Sequence, residues 1–127
     1  MGKRIRKMFS IMLIVFVFAT PIFAEWYSVS ITLPRNGAWT STRTRPASGG
    51  TQKLKVQNNK YEVKGRIVSK NYKKLSEYKT HAAKGKSGYG HIKYHTTDVG
   101  KGTQIRCQFT TNPWNQKTTT AKLSWEP

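Results

Sequence analysis

The sequence predicts an all-β fold: a small antiparallel β-sandwich or barrel of six or seven strands following an N-terminal signal peptide. Three observations carry this. Beyond residue 24, Thr, Val, Ile, Tyr and Trp recur with period-two alternation. Turn residues interrupt that alternation at short, regular intervals. Good helix-forming runs are few, and no internal repeat of fixed period is present. Short alternating strands with frequent turns suit two packed antiparallel layers or a closed sheet.

The first strand is Trp26 to Leu33, with Tyr27, Val29, Ile31 and Leu33 on one face and Ser28, Ser30 and Thr32 on the other. Pro34-Arg35-Asn36-Gly37 is then a turn. Residues 38 to 45, with Trp39 followed by Thr, Ser and Arg, read as an edge strand. From Gln52 to Asn58, Leu54 and Val56 face inward while Lys53, Lys55 and Gln57 face out. Asn58-Asn59 turns the chain, and Tyr61, Val63, Gly65 and Ile67 alternate inward against Glu62, Lys64 and Arg66. These two segments are expected to form a hairpin.

Residues 69 to 90 leave two readings open. Tyr72, Leu75 and Tyr78 lie three apart, as one helical face would require; a strand with a long basic loop fits equally. Ala82 to Gly90 is glycine-rich and expected to be exposed. His91 to His95 is expected as a short strand with Ile92 and Tyr94 inward. Ile105, Cys107 and Phe109 then alternate against Gln104, Arg106 and Gln108. Asn112 to Asn115 is a turn carrying Trp114. In the last strand Thr119, Ala121, Leu123 and Trp125 face inward.

The domain division follows from the N-terminus. Lys3, Arg4, Arg6 and Lys7 form a basic start, and Ile11 to Ala19 is unbroken apolar sequence. Pro21 breaks a helix, and Ala24 supplies a small residue for cleavage. Residues 1–24 are thus expected to be a signal peptide, with residues 25–127 a single basic domain that is secreted. An uncleaved membrane anchor is the alternative; the uncharged run Met8–Ala24 has 17 residues, at the short edge of a bilayer span.

Of 23 Lys and Arg, four lie in the leader, so residues 25–127 carry 19 against five acids, a net +14. A field of one sign on so small a domain opposes compaction and draws in polyanions or anionic membranes. Cys107 stands alone and closes no internal disulfide, so β packing must supply the stability.

Leu33-Pro34-Arg35-Asn36-Gly37-Ala38-Trp39, the Tyr61-x-Val63 strand and the closing Leu123-Ser124-Trp125-Glu126-Pro127 resemble a set of small exported proteins of Gram-positive bacteria with no assigned activity. The resemblance implies an exported β-sandwich and transfers no functional residue.

The candidate site residues are cations and aromatics. Lys53, Lys55, Lys64, Arg66, Lys93, Arg106 and Lys122 are expected on outward strand faces, and Lys70, Lys73, Lys74, Lys79, Lys84 and Lys86 in a central basic loop. Regularly spaced phosphates would meet such surfaces with counterion release. The expected partners are therefore anionic polymers or membrane surfaces, such as teichoic acid or lipid headgroups, with nucleic acid bound only non-specifically. A solvated cationic surface without a specific ligand is the alternative. Trp39 and Trp114 follow or occupy turns and are the aromatic contact candidates, whereas Tyr27 and Trp125 read as packing.

No enzyme is expected. Gly-x-Ser-x-Gly, His-Glu-x-x-His and Walker patterns are absent, and Gly85-Lys86-Ser87 lacks the upstream glycine of a phosphate loop. The carboxylates are scattered, and Cys107 alternates with core residues as a buried thiol would. His91 and His95 are too far apart along a strand to share a metal, so no metal or cofactor is expected. The function expected is non-enzymatic binding of anionic cell-envelope polymer. The alternatives are a secreted antimicrobial, bacteriocin-like protein acting on anionic membranes and an extracellular inhibitor or protein-binding module.

Overall fold

The structure, a computed structural model, describes residues 25–34, 37–111 and 118–127. Among these the fold is all-β without a helix, and none is long and apolar enough to cross a membrane. The leader 1–24, part of the 34–37 turn, and Trp114 with its turn lie outside the described residues.

Nine strands form two antiparallel sheets. They are β1 (Tyr27–Leu33), β2 (Ala38–Thr40), β3 (Arg45–Pro46), β4 (Thr51–Gln57), β5 (Val63–Ser69), β6 (Lys79–His81), β7 (Lys93–Thr96), β8 (Gln104–Thr111) and β9 (Thr119–Glu126). The first sheet has the order β1-β9-β4-β7, the second β2-β8-β5-β6, with β3 beside β2 on the same edge of β8. The expected count of six or seven is corrected to nine for two reasons. Residues 38–46 make two short strands rather than one, and Lys79–His81 adds a strand within the stretch left open.

The inward faces follow the alternation. Leu54 and Val56 of β4, Val63 and Ile67 of β5, Ile105, Cys107 and Phe109 of β8, and Ala121, Leu123 and Trp125 of β9 are all buried in one core. Their burial from water is the main favourable term in a domain with no disulfide. Gly65 lets the layers approach closely. A Cβ there would lie 2.9 Å from Phe109 Cε1 and 3.0 Å from Leu54 Cδ1, so the Phe109 ring rests on bare backbone.

The expected β4–β5 hairpin does not form. β4 pairs with β9 and β7, while β5 pairs with β8 and β6. Both strands are buried on one face, so they satisfy those faces by crossing from one layer to the other. The arch is set by Asn58, at φ 60°, and by buried Asn59, whose Nδ2 donates to Tyr61 O and Ala82 O at 3.0 Å each.

Residues 69–78 are not helical. Tyr72 N donates to Ser69 O at 3.0 Å and Ser69 N to Lys73 O at 2.8 Å, so the chain reverses tightly. Tyr72 sits at φ 66° and is exposed, Leu75 packs against the core, and Tyr78 covers the outer face of the second sheet. The three residues therefore point to three places rather than along one helical face.

The edge read at 38–45 is interrupted. Between the pairs Thr40–Gln108 and Arg45–Ile105, four residues face two on β8. Ser41 keeps contact through the excursion: its N donates to Cys107 O at 2.9 Å and its Oγ accepts from Cys107 N at 3.2 Å.

The Gly65 contact has a measurable consequence. Gly65→Ala is expected to destabilise the fold by about 1–3 kcal/mol through overpacking against Phe109, read as a lowered urea midpoint with unchanged slope. A midpoint equal to that of the wild type would mean the sheets separate there without cost.

Candidate functional site

The outward cations divide by sheet. On the second sheet both arginines are held. Arg66 Nε donates to Gln108 Oε1 at 2.7 Å, and its guanidinium lies 4.3 Å from the centre of the Tyr78 ring, whose hydroxyl donates to the same Gln108 oxygen. Arg106 donates from Nη1 to Ser41 O and Thr42 O at 2.8 and 2.7 Å and from Nε to Lys70 O at 3.1 Å. It therefore ties the edge excursion to the 69–74 turn. The guanidinium fork suits carbonyl clamping of this kind. These two candidates serve the fold through those donors, Nε of Arg66 and Nε and Nη1 of Arg106. Lys64 is half-buried on the same face.

The basic loop expected across residues 70–86 is two separate groups. Lys70, Lys73 and Lys74 lie at the turn after β5, and Lys84 and Lys86 lie in the exposed loop after β6. That loop packs back to the start of β5, where Lys84 N donates to Asn59 O at 2.8 Å. The length of β5 puts the groups roughly 20 Å apart. Lys74 is also paired with Glu77, whose carboxyl is held below its ordinary range by that hydrogen bond and charge.

Lys93 does not face outward. β7 pairs Lys93 with inward Leu54 and Tyr94 with outward Lys53, which inverts the expected phase. Ile92 and Tyr94 are exposed and His95 is buried. The inversion follows from polar partners the sequence pattern does not display: Ser76 Oγ accepts from Ile67 N at 2.9 Å and lies 2.8 Å from His95 Nδ1. His81 of β6 is also buried, with its ring 6.2 Å from that of Phe109. The two histidines thus fill the gap between edge strands β6 and β7. Burial pushes both imidazoles down to about 4, His81 further opposed by charge on His95 and Lys93, and His95 by Lys79. Among the described residues no three His, Cys, Asp or Glu side chains gather as a metal would need.

Trp39 is a packing residue. It pairs with Phe109 across β2 and β8 and stacks on its ring at 6.5 Å and 29°. Tyr27 and Trp125 pack together as expected, 6.5 Å between ring centres. Cys107 is buried, its thiol pushed up to about 12 by loss of solvent.

What remains is the outer face of the first sheet. A groove of about 320 Å³ crosses it from β1 to β7. Trp26 stands at one end and Ile92 at the other, 39% and 37% exposed. Lys55 of β4 and Lys122 of β9 enter it, with Ser28, Gln57 and Ser124 between. Register places Lys55 opposite Ser124 and Gln57 opposite Lys122, so the two lysines are diagonal neighbours. Their Cβ atoms are then roughly 7–8 Å apart or somewhat less. Among the described residues neither is in an ion pair, whereas neighbouring Lys53 reaches Glu126 at 3.6 Å. Alternation identified both lysines as outward; Trp26 was legible only as the start of a strand, because its exposure depends on lying just beyond the last pair of β1 with β9.

No protein-family model matches the chain, and no curated protein matches it in sequence.

The buried histidines give stability a pH dependence. Folded values near 4 lie below the ordinary 6.5, so folding favours the neutral rings. Their contribution is complete above pH 6.5, is lost as pH falls from 6.5 towards 4, and changes no further below that. The expected loss is on the order of 3 kcal/mol per histidine, about 6 kcal/mol for the two. Urea denaturation at pH 7 and pH 4 measures it, and His95→Asn should remove roughly half of the difference. An equal dependence in that variant would assign it to other groups.

Proposed function

We propose that this is a secreted, non-enzymatic protein that binds anionic cell-envelope polymer through the outer face of its first sheet. One observation carries the reading: Lys55 and Lys122, unpaired, lie side by side in a groove bounded by exposed Trp26 and Ile92. Ammonium groups on a stiff sheet meet phosphate oxygens as point charges, and each contact releases counterions. The indole face and Ile92 suit the carbon surface of a sugar or polyol between phosphates. Ser28, Ser124 and Gln57 offer hydrogen-bonding groups along the same line. The net +14 of residues 25–127 brings such a polymer to the surface, and the groove supplies the local fit. This chemistry asks for a linear sugar- or polyol-phosphate such as teichoic acid. A lipid headgroup presents one phosphate and leaves the second lysine and the far end of the groove unused.

The decisive experiment is binding of the purified protein to washed envelopes, with and without teichoic acid, across a salt series. The expected binding requires the polymer and falls steeply with salt. Lys55→Gln with Lys122→Gln should weaken it and lower the slope of log affinity against log salt by about 1.5, at 0.7–0.9 per phosphate contact. Lys84→Gln with Lys86→Gln should leave most of the affinity intact. Binding that ignores the polymer, or a groove variant with the slope of the wild type, would refute the proposal.

A further inference from the structure

The two sides of the sandwich are finished differently. Between β6 and β7 the gap is filled by His81 and His95, and Lys79 Nζ covers the β7 edge by donating to Tyr94 O. Between β1 and the β2–β3 edge it stays open, as a cleft of about 160 Å³. Tyr27, Trp39 and Trp125 form its walls, with Cys107 and Leu123 deeper, and Val29, on the inward side of β1, remains 36% exposed at its mouth. Arg43 and Arg45 line the same cleft. Arg45 lies 3.9 Å above the Tyr27 ring, and Arg43 is exposed and unpaired among the described residues.

The strand bordering this cleft has an open edge. Among the described residues β1 pairs with β9 alone, and its seven residues, Tyr-Ser-Val-Ser-Ile-Thr-Leu, include no proline and no charge. The other edges are blunted: β6 and β2 have three residues each, β3 ends on Pro46 after the excursion, and β7 has four residues with Lys79 over it. Edges are ordinarily protected by such devices, because alternate residues of an unprotected one offer free N–H and C=O groups to another chain.

We propose that the β1 edge and its cleft receive an extended acidic segment of another protein as an added strand. Its backbone would pair with β1 and its inward-facing side chains would enter the cleft, apolar ones against Tyr27, Trp39 and Trp125 and carboxylates against Arg43 and Arg45. Backbone pairing supplies affinity in this mode, and pockets for alternate side chains supply selectivity. Charge decides the occupant. A second copy of the chain would bring two domains of net +14 together with their Arg43 and Arg45 side chains facing, whereas an acidic segment neutralises those arginines. A sugar-phosphate polymer has no peptide groups with which to pair.

The test uses the purified protein and a capped seven-residue peptide, Asp-Ser-Val-Ser-Val-Ser-Asp, whose aspartates and valines share one face of the strand. Binding is read by tryptophan fluorescence and by amide exchange along β1. The expected result is slower exchange of β1 amides, with binding weakened at least about tenfold by Arg43→Gln or by asparagine in place of aspartate in the peptide. N-methylation at alternate peptide residues should abolish binding while leaving charge intact, a control that does not alter the protein. Lys55→Gln with Lys122→Gln should leave it unchanged, which separates this site from the groove. Equal binding of the N-methylated peptide, no protection of β1, or sedimentation of the protein alone as a dimer with β1 already protected would each overturn the proposal.

Discussion

Phe109 lying on Gly65 is the contact around which the sandwich is arranged. A side chain at residue 65 would collide with that ring and with Leu54 from the opposite layer, so only bare backbone permits the spacing. From this point the ring also reaches Trp39 on one edge and His81 on the other. One buried aromatic thus joins the centre of the second sheet to both of its margins. Residues 25–127 carry a net charge of +14 and a single cysteine, so the self-repulsion of the surface must be offset by such packing. The buried side chains are accordingly small or β-branched around a few large rings, which lets two layers interdigitate at close range.

That same demand sorts the cations. The arginines of the second sheet are used where a planar fork and a stacking face help: Arg66 between Gln108 and Tyr78, Arg106 on three carbonyls with its guanidinium 5.0 Å from the centre of the Tyr72 ring. Lysine lacks that geometry, and Lys55 and Lys122 stay available on the first sheet. The two arginines of the second sheet's outer face are therefore positioned by contacts within the fold.

The sequence revealed faces better than partners. In β4, β5 (from Val63 on), β8 and β9 the residues the alternation selects as inward are buried, because each strand has neighbours on both sides; Val68 and Ser124, on the other parity, are buried as well. Alternation carries no information about which strand lies alongside, so β4 and β5, adjacent in the chain and alike in pattern, read as a hairpin although they belong to opposite layers. It fails where burial is decided by hydrogen bonding. His95 is inward through Ser76, and Gln52 is fully buried between Gly49 O and Thr97 Oγ1. It fails again at edges, where Val29 follows the inward parity yet remains at the mouth of an open cleft. For the site, alternation placed Lys55 and Lys122 outward but could not single them out from Lys53, since their freedom depends on where Glu126 lands across the sheet. Arg66 and Arg106 looked equally free for the same reason: their hydrogen-bond partners lie 36 or more positions away.

The open side and the filled side have a common origin. Both gaps lie between edge strands of opposite sheets, and both need something wider than an aliphatic side chain to close them. On one side two imidazoles supply it and remain neutral at ordinary pH, because ionisation would put charge beside Phe109 with Lys79 and Lys93 near. On the other side the inward positions of β1 are Tyr27, Val29, Ile31 and Leu33, and Val29 is too short to reach across. Widening it would close the cleft and bury more apolar area, so the small residue forgoes stability there. A groove on one outer face and an unclosed edge are physically distinct: the first offers ammonium groups and the second offers peptide groups beside its arginines. Salt screens the charge contacts of both, so the demand for a peptide backbone, which only the edge makes, is what tells them apart.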